Sequence, residues 1–315
     1  MSNSRRILNL FGYALIIILV INLLITLDYT NLMASIRQVN PNVIFLLISL
    51  QLLTQLLITW QWHIICKIVI NKSNFWKVLN IFTRGSVVEA ITPGAKIGGE
   101  ATRLYYIKKD FDCDTEKAVS VILIQKCISM SVLLTICVLA FVYLSIKMMN
   151  DLLSSLLVII VCVTLIAMMI VLLFFPEKIK HKYAQSYAQT TKMLTKSEWL
   201  ILFFISVVVW LLFPIKMAIL VYSFDIKLPP AIIFAVTMTS YMAGMLPITP
   251  GGIGTFEGTM ITWLTMLSVA SEVSVTITII FRFITFWFVN LASAMCVVLY
   301  KLISARGKFD AGENS

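Results

Sequence analysis

Two stretches, Ile91-Thr92-Pro93-Gly94-Ala95-Lys96-Ile97-Gly98-Gly99-Glu100-Ala101-Thr102 and Ile248-Thr249-Pro250-Gly251-Gly252-Ile253-Gly254-Thr255-Phe256-Glu257-Gly258-Thr259, decide the reading of this chain. Aligned without gaps they share six of twelve residues: the Ile-Thr-Pro-Gly start, the glutamate and the last threonine. Nine of the 12 glycines (Gly85, Gly94, Gly98, Gly99, Gly244, Gly251, Gly252, Gly254 and Gly258) lie in or beside these segments. Glycines that merely allow close helix packing would be scattered. The clustering marks an internal duplication in which Glu100 corresponds to Glu257.

Both segments interrupt strongly apolar sequence. The 315 residues are 60% hydrophobic and 13% charged, with a mean hydropathy of +0.95. Soluble domains hold about 45–50% apolar residues, so the chain reads as an all-α polytopic membrane protein, a single membrane domain over residues 1–315. Six runs are long enough to cross a bilayer as helices: about 7–27, 42–65, 118–146, 152–175, 200–222 and 275–300. The first follows Arg5 and Arg6 and has no small-residue cleavage site after it, as expected of a retained helix. Residues 78–101 and 231–257, broken by proline and glycine, are expected to be re-entrant hairpins. They divide the chain into a first repeat at 42–146 and a second at 199–300, followed by a cytoplasmic tail at 301–315.

Charge placement supports this arrangement. With both broken stretches returning to the side they start from, seventeen Lys and Arg, Arg103 and the Lys178–Lys196 loop among them, fall on the side of the N-terminus. Only Arg37, Lys147 and Lys227 fall on the other. Lys and Arg concentrate on the cytoplasmic side of membrane proteins, so both termini are expected in the cytoplasm and the chain in the cell membrane. Three crossings separate the hairpins, so one should start inside and the other outside. That is the inverted-topology repeat of transporters, whose broken helices meet near the midplane and form the substrate site.

Eight ionisable residues fall at membrane depth: Arg84, Glu89, Lys96, Glu100, Lys126, Lys216, Glu257 and Arg282. Each costs at least about 2.5–3.5 kcal/mol near the bilayer centre, so they must pair, snorkel or face water. Acids from the hairpins and bases from the following spans are expected to share one cavity. The candidate binding or gating residues are Glu100, Glu257, Arg282, Lys126, Arg84 and Lys96, with Pro93, Gly94, Pro250, Gly251, Gly252 and Gly254 shaping the breaks. Arg282 suits a phosphate, a carboxylate or Glu257 equally, because its fork binds all three. Lys216 is expected to be structural. Trp60, Trp62, Trp76, Trp199 and Trp287 are read as interfacial anchors.

Other chemistries find little support. The six cysteines form no CxxC pair and His63 and His181 have no ligand-spaced partner, so they are read as structural, with no metal site. No Gly-x-x-x-x-Gly-Lys-[Ser/Thr] motif occurs, so no nucleotide cofactor is expected. The net charge of +10 reflects topology and contact with an anionic lipid surface, not nucleic acid. The acidic run Asp110-Phe111-Asp112-Cys113-Asp114 reads as a solvated loop. It is also the place where a lipid-modifying transferase would hold an ion.

The pairing of Pro-Gly-x-x-x-Gly-Gly-Glu (Pro93 to Glu100) with Pro-x-x-Pro-Gly-Gly-Ile-Gly-x-x-Glu (Pro247 to Glu257), followed by Arg282-Phe-Ile-Thr-Phe-Trp, resembles the lysylphosphatidylglycerol synthase transmembrane-region family. That family includes the flippase domain of the multiple peptide resistance factor, which moves aminoacylated phosphatidylglycerol between leaflets. The resemblance spans roughly residues 9–301. It implies a lipid-translocating fold with two re-entrant elements, allows a homodimer, and draws attention to Glu100, Glu257 and Arg282. Up to Ser315 there is no soluble aminoacyl-transferase domain, so a transporter of a polar-headed lipid, an anionic or aminoacylated phospholipid or a glycolipid, is expected in place of a synthase. Lys126 stands where an arginine is expected in the first repeat. The alternatives are a membrane-embedded transferase or an accessory subunit that moves no lipid.

Overall fold

In the computed structural model of the protein, residues 39–92, 97–148, 182–245 and 249–312 are described. They form ten helices: α1 (Pro41–Ile70), α2 (Phe75–Ile91), α3 (Ile97–Phe111), α4 (Thr115–Met148), α5 (Lys182–Met193), α6 (Lys196–Tyr222), α7 (Pro230–Gly244), α8 (Thr255–Met266), α9 (Ser271–Arg282) and α10 (Phe288–Gly312). Local chemistry sets their ends. The Asn40 side chain caps α1 by accepting from the Asn42 amide at 2.9 Å, with Pro41 at its first position. Asn71, at φ 60°, stops it. Thr195 and Glu198 form a reciprocal capping box at the start of α6.

Four rods are long and apolar enough to span a bilayer: Pro41–Ile70, Thr115–Ala140, Lys196–Tyr222 and Ser271–Leu302. They match four of the six expected spans; those at 7–27 and 152–175 lie outside the described residues. Large apolar side chains such as Phe45, Leu200, Phe204, Leu291 and Met295 point outward from the bundle. In water such a surface would aggregate; in lipid it needs no cover.

Hydrogen bonds fix the direction of the rods. Gln61 Nε2 of α1 donates to the Leu202 carbonyl at 2.9 Å and to Ser206 Oγ at 2.6 Å. Lys216 of the same α6 reaches back to Gln51 and Thr54 of α1. Numbers fall along α1 as they rise along α6, so these helices are antiparallel. Their C-terminal ends, from which the two broken segments set out, lie at opposite ends of the bundle.

Each broken segment is a helix, a break and a second helix. In the first, Gly85 lies against Arg103 and Gly99 against Glu89, so α2 and α3 run antiparallel in close contact. In the second, α7 turns through Pro250–Gly252 into α8. The arms outlast the segments expected at 78–101 and 231–257: α3 continues to Phe111 and α8 to Met266. Each glutamate sits in the first turn of the second arm, where carboxylates favour the positive helix end. Apolarity fades there, but the helix does not. The packing is crossed between the repeats, with α2 on α10 of the second and α7 on α4 of the first.

Candidate functional site

Three left-handed glycines shape the second break, with φ of 62° at Gly251, 70° at Gly252 and 85° at Gly254. A Cβ on Gly252 would lie 2.4 Å from the Gly244 carbonyl oxygen, and one on Gly251 would lie 2.5 Å from the Phe286 ring. Only glycine allows both the conformation and the approach. Glu257 then ties the turn together. Its Oε2 accepts from the Gly254 amide at 2.7 Å, and its Oε1 accepts from Arg282 Nε at 2.8 Å.

Arg282 is enclosed on every side. It donates to the Gly251 carbonyl, and its guanidinium lies 4.1 Å from the Phe286 ring centroid and 4.9 Å from that of Phe256. A single π-helical turn, Phe283–Trp287, follows it directly. Such bulges insert an extra residue into a helix and often mark functional positions. Of the binding options open to Arg282, the structure uses the pair with Glu257.

The first break is braced by a larger network. Arg103 contacts Glu89 of α2 at 3.1 Å and Glu100, on its own helix, at 2.8 Å. Glu100 also meets Lys126 of α4 at 2.6 Å. Arg103 is only 4% exposed and lies over Phe82 and Trp62. Its expected place among the cytoplasmic charges is therefore corrected. The next helical turns carry Lys108 and Lys109, but Arg103 itself points inward, where Gly85 leaves room for it. Trp62, expected as an interfacial anchor, is also buried, whereas Trp60, Trp76 and Trp287 are exposed.

The two networks border one cavity of about 310 Å³. Glu89, Glu100, Arg103 and Lys126 line it from one side, and Gly251, Gly252 and Arg282 from the other. Glu257 backs Arg282. Arg84 stands apart: it borders a separate groove between the first hairpin and α10, donates to Asn80 at 2.9 Å and lies over Tyr106. Lys216 is buried, donating to Gln51 and, at 3.2 Å, to Thr54. Pro93, Gly94 and Lys96 lie outside the described residues, as do Ile248 and Pro247.

Charge alone did not mark several wall residues. Gln51, Gln55, Gln61 and Gln125 all line the cavity. Glutamine inside an apolar span, at 51 and 55 on one helical face, was the available signal. The acidic run at 110–114 joins α3 to α4 far from an activated nucleophile: burial, then the Asp114 and Asp112 charges, hold the Cys113 thiol above its ordinary range. Among the described residues no cluster of three or more His, Cys, Asp and Glu side chains could hold a metal.

The profile of the lysylphosphatidylglycerol synthase transmembrane region matches residues 9–293. The chain belongs to that family. Within this lysylphosphatidylglycerol synthase transmembrane-region family, similar proteins include a UPF0104 membrane protein of Methanocaldococcus jannaschii, 24% identical over 85% of this chain and 88% of the relative. Another, from Methanothermobacter thermautotrophicus, is 23% identical over 81% of this chain and 85% of its own. A third, from Pyrococcus horikoshii, is 23% identical over 91% and 96%. Membership makes the chain a membrane protein and is consistent with a lipid-related function.

Proposed function

We propose that the protein is a lipid flippase or scramblase that passes a polar headgroup through the cavity between its two hairpins while the chains stay in the bilayer. One observation carries this reading. Two glycine-broken hairpins, starting from opposite ends of the bundle, each place a first-turn glutamate on a base from the span that follows, beside one polar cavity. Irregular backbone at membrane depth is tolerated only where protein buries it or a wet cavity solvates it. An inverted repeat with both termini in the cytoplasm accounts for this geometry and for the charge count.

In this reading the Glu100–Lys126 and Glu257–Arg282 pairs are the gating elements, breaking and reforming as each hairpin exposes the cavity to its own side. The protein needs no cofactor and works in the cell membrane, as a monomer or homodimer. The test is purified protein in liposomes holding a fluorescent phospholipid panel, with a membrane-impermeant quencher reporting outer-leaflet lipid. The parent should accelerate exchange of at least one lipid, and Glu257→Gln should slow it with the melting profile retained. A parent that moves no lipid in any mixture would overturn the proposal in favour of an accessory or modifying role.

A further inference from the structure

The ionic groups at the cavity pair with one another, although Glu100 Oε2 and Arg103 Nε are buried without a hydrogen-bond partner among the described residues. Arg103 holds two carboxylates, Glu100 bridges Arg103 and Lys126, and Arg282 holds Glu257 and a backbone carbonyl between two rings. Among the described residues two acids, Glu89 and Glu100, stand with two bases, Arg103 and Lys126, at the first hairpin, and Glu257 stands with Arg282 at the second. Lys216, whose ammonium has only neutral partners, is sealed behind Gln51 and Phe213 and does not line the cavity. A phosphate or an ammonium in this space would add a net charge to a set whose described acids and bases are equal in number, where an unbalanced buried charge is costly.

Beside Glu100 Oε2 and Arg103 Nε, the remaining hydrogen-bonding capacity is neutral. Gln55 lines the cavity, as does Asn290, whose amide nitrogen donates to the Phe286 carbonyl, leaving its oxygen to accept. Thr249 Oγ1 and Gln51 Nε2 are buried without a hydrogen-bond partner among the described residues. Lys216 determines the second of these: by donating to Gln51 Oε1 it turns the amide so that its nitrogen is the end left over. Gln51 is fully buried and Thr249 is 4% exposed, so each of these atoms is a desolvated group awaiting a partner. Trp210 and Tyr241 add flat aromatic walls. At about 310 Å³ the space is at the small end of ligand pockets, which run from about 300 to 1,000 Å³, enough for a headgroup and not a whole lipid.

Resting on the flippase reading, we infer that the cavity takes an uncharged, hydroxyl-rich headgroup, a sugar or polyol carried on a lipid. Hydroxyls both donate and accept, so they can meet the scattered amide and hydroxyl groups of a largely apolar, aromatic wall without disturbing the ion pairs. Arg103, Arg282 and Lys126 are then gate and scaffold, not headgroup ligands.

The test compares glucosyl-diacylglycerol, phosphatidylglycerol and lysyl-phosphatidylglycerol, each at the same mole fraction, in two readouts: thermal stabilisation of the purified full chain in micelles, and leaflet exchange in liposomes. The glycolipid should raise the melting temperature and cross fastest. Gln55→Leu and Thr249→Val remove no hydrogen bond of the fold, so each should keep the ligand-free melting temperature while lowering glycolipid exchange by up to about tenfold, the effect of roughly one hydrogen bond. Faster exchange of either charged lipid, equal exchange of all three, or unchanged glycolipid exchange in both variants overturns the inference while leaving the flippase reading intact. Stabilisation by the glycolipid with no lipid crossing supports the headgroup class and overturns transport. Stabilisation by methyl glucoside alone, with none by the glycolipid, overturns a lipid as the carrier.

Discussion

The two hairpins grow from the same twelve-residue pattern and reach different electrostatic solutions. The second is fastened outward: Glu257 and the Gly251 carbonyl both bind Arg282 of the following rod, so turn and rod are one unit. The first is braced inward: Arg103 joins its own two arms through Glu89 and Glu100, and Lys126 is the link to α4. The Glu100–Lys126 ion pair joins the first hairpin to its neighbouring span, beside the apolar packing of Ile107 and Phe111 in a core shared with Ala118, Val121 and Ile124. To leave its own span, the second must give up an ion pair, a backbone hydrogen bond and the contact of Arg282 with the Phe256 ring together. One repeated motif has produced a hairpin braced within itself and a hairpin fastened to the rod that follows it; in the proposed mechanism these are the more mobile and the more anchored gate.

The largest effect should come from the anchored side. Gly252→Val places a branched side chain at φ 70° and against the Gly244 carbonyl; the second break cannot form, and size-exclusion chromatography should show little folded protein. Arg282→Ala comes next. Removing one member of a buried pair costs about 3–5 kcal/mol, and thermal unfolding in detergent should register most of it. Glu100→Gln should cost less, about 1–2 kcal/mol, because Arg103 keeps Glu89. A stability loss equal to that of Arg282→Ala would erase the distinction between the hairpins. Arg84→Gln, outside the cavity, should stay within about 0.5 kcal/mol and leave lipid exchange at the parental rate; a large loss of exchange would move the pathway to the groove beside α10.

Four spans were legible because each is a predominantly apolar run of more than eighteen residues between polar ends, and length separates such runs from buried core helices. The breaks were legible because proline and glycine cannot continue a helix without compensation. The ends of the second arms were not, since α3 turns polar after Glu100 while a carboxylate in its first turn still supports the helix. Arg103 escaped for the same reason: its neighbours Lys108 and Lys109 read as a membrane edge, and only its three-residue spacing from Glu100 hinted at a pair. Gln51, Gln61 and Gln125 carry no charge, so counting ions passed over them. Within the π turn after Arg282, Phe286 packs against Gly251, a contact between residues 35 apart that no local pattern encodes.

Opposed entry of the two hairpins is the central claim, and the exposed residues at their bases test it. Lys72 precedes α2 and Lys227 precedes α7. Single cysteines, Lys72→Cys and Lys227→Cys, would be placed in a background whose native cysteines are alanine and treated in intact cells with a membrane-impermeant maleimide. The account predicts immediate labelling at 227, and labelling at 72 only after permeabilisation. Labelling of both from the same side would contradict the inverted repeat and, with it, the alternating cavity.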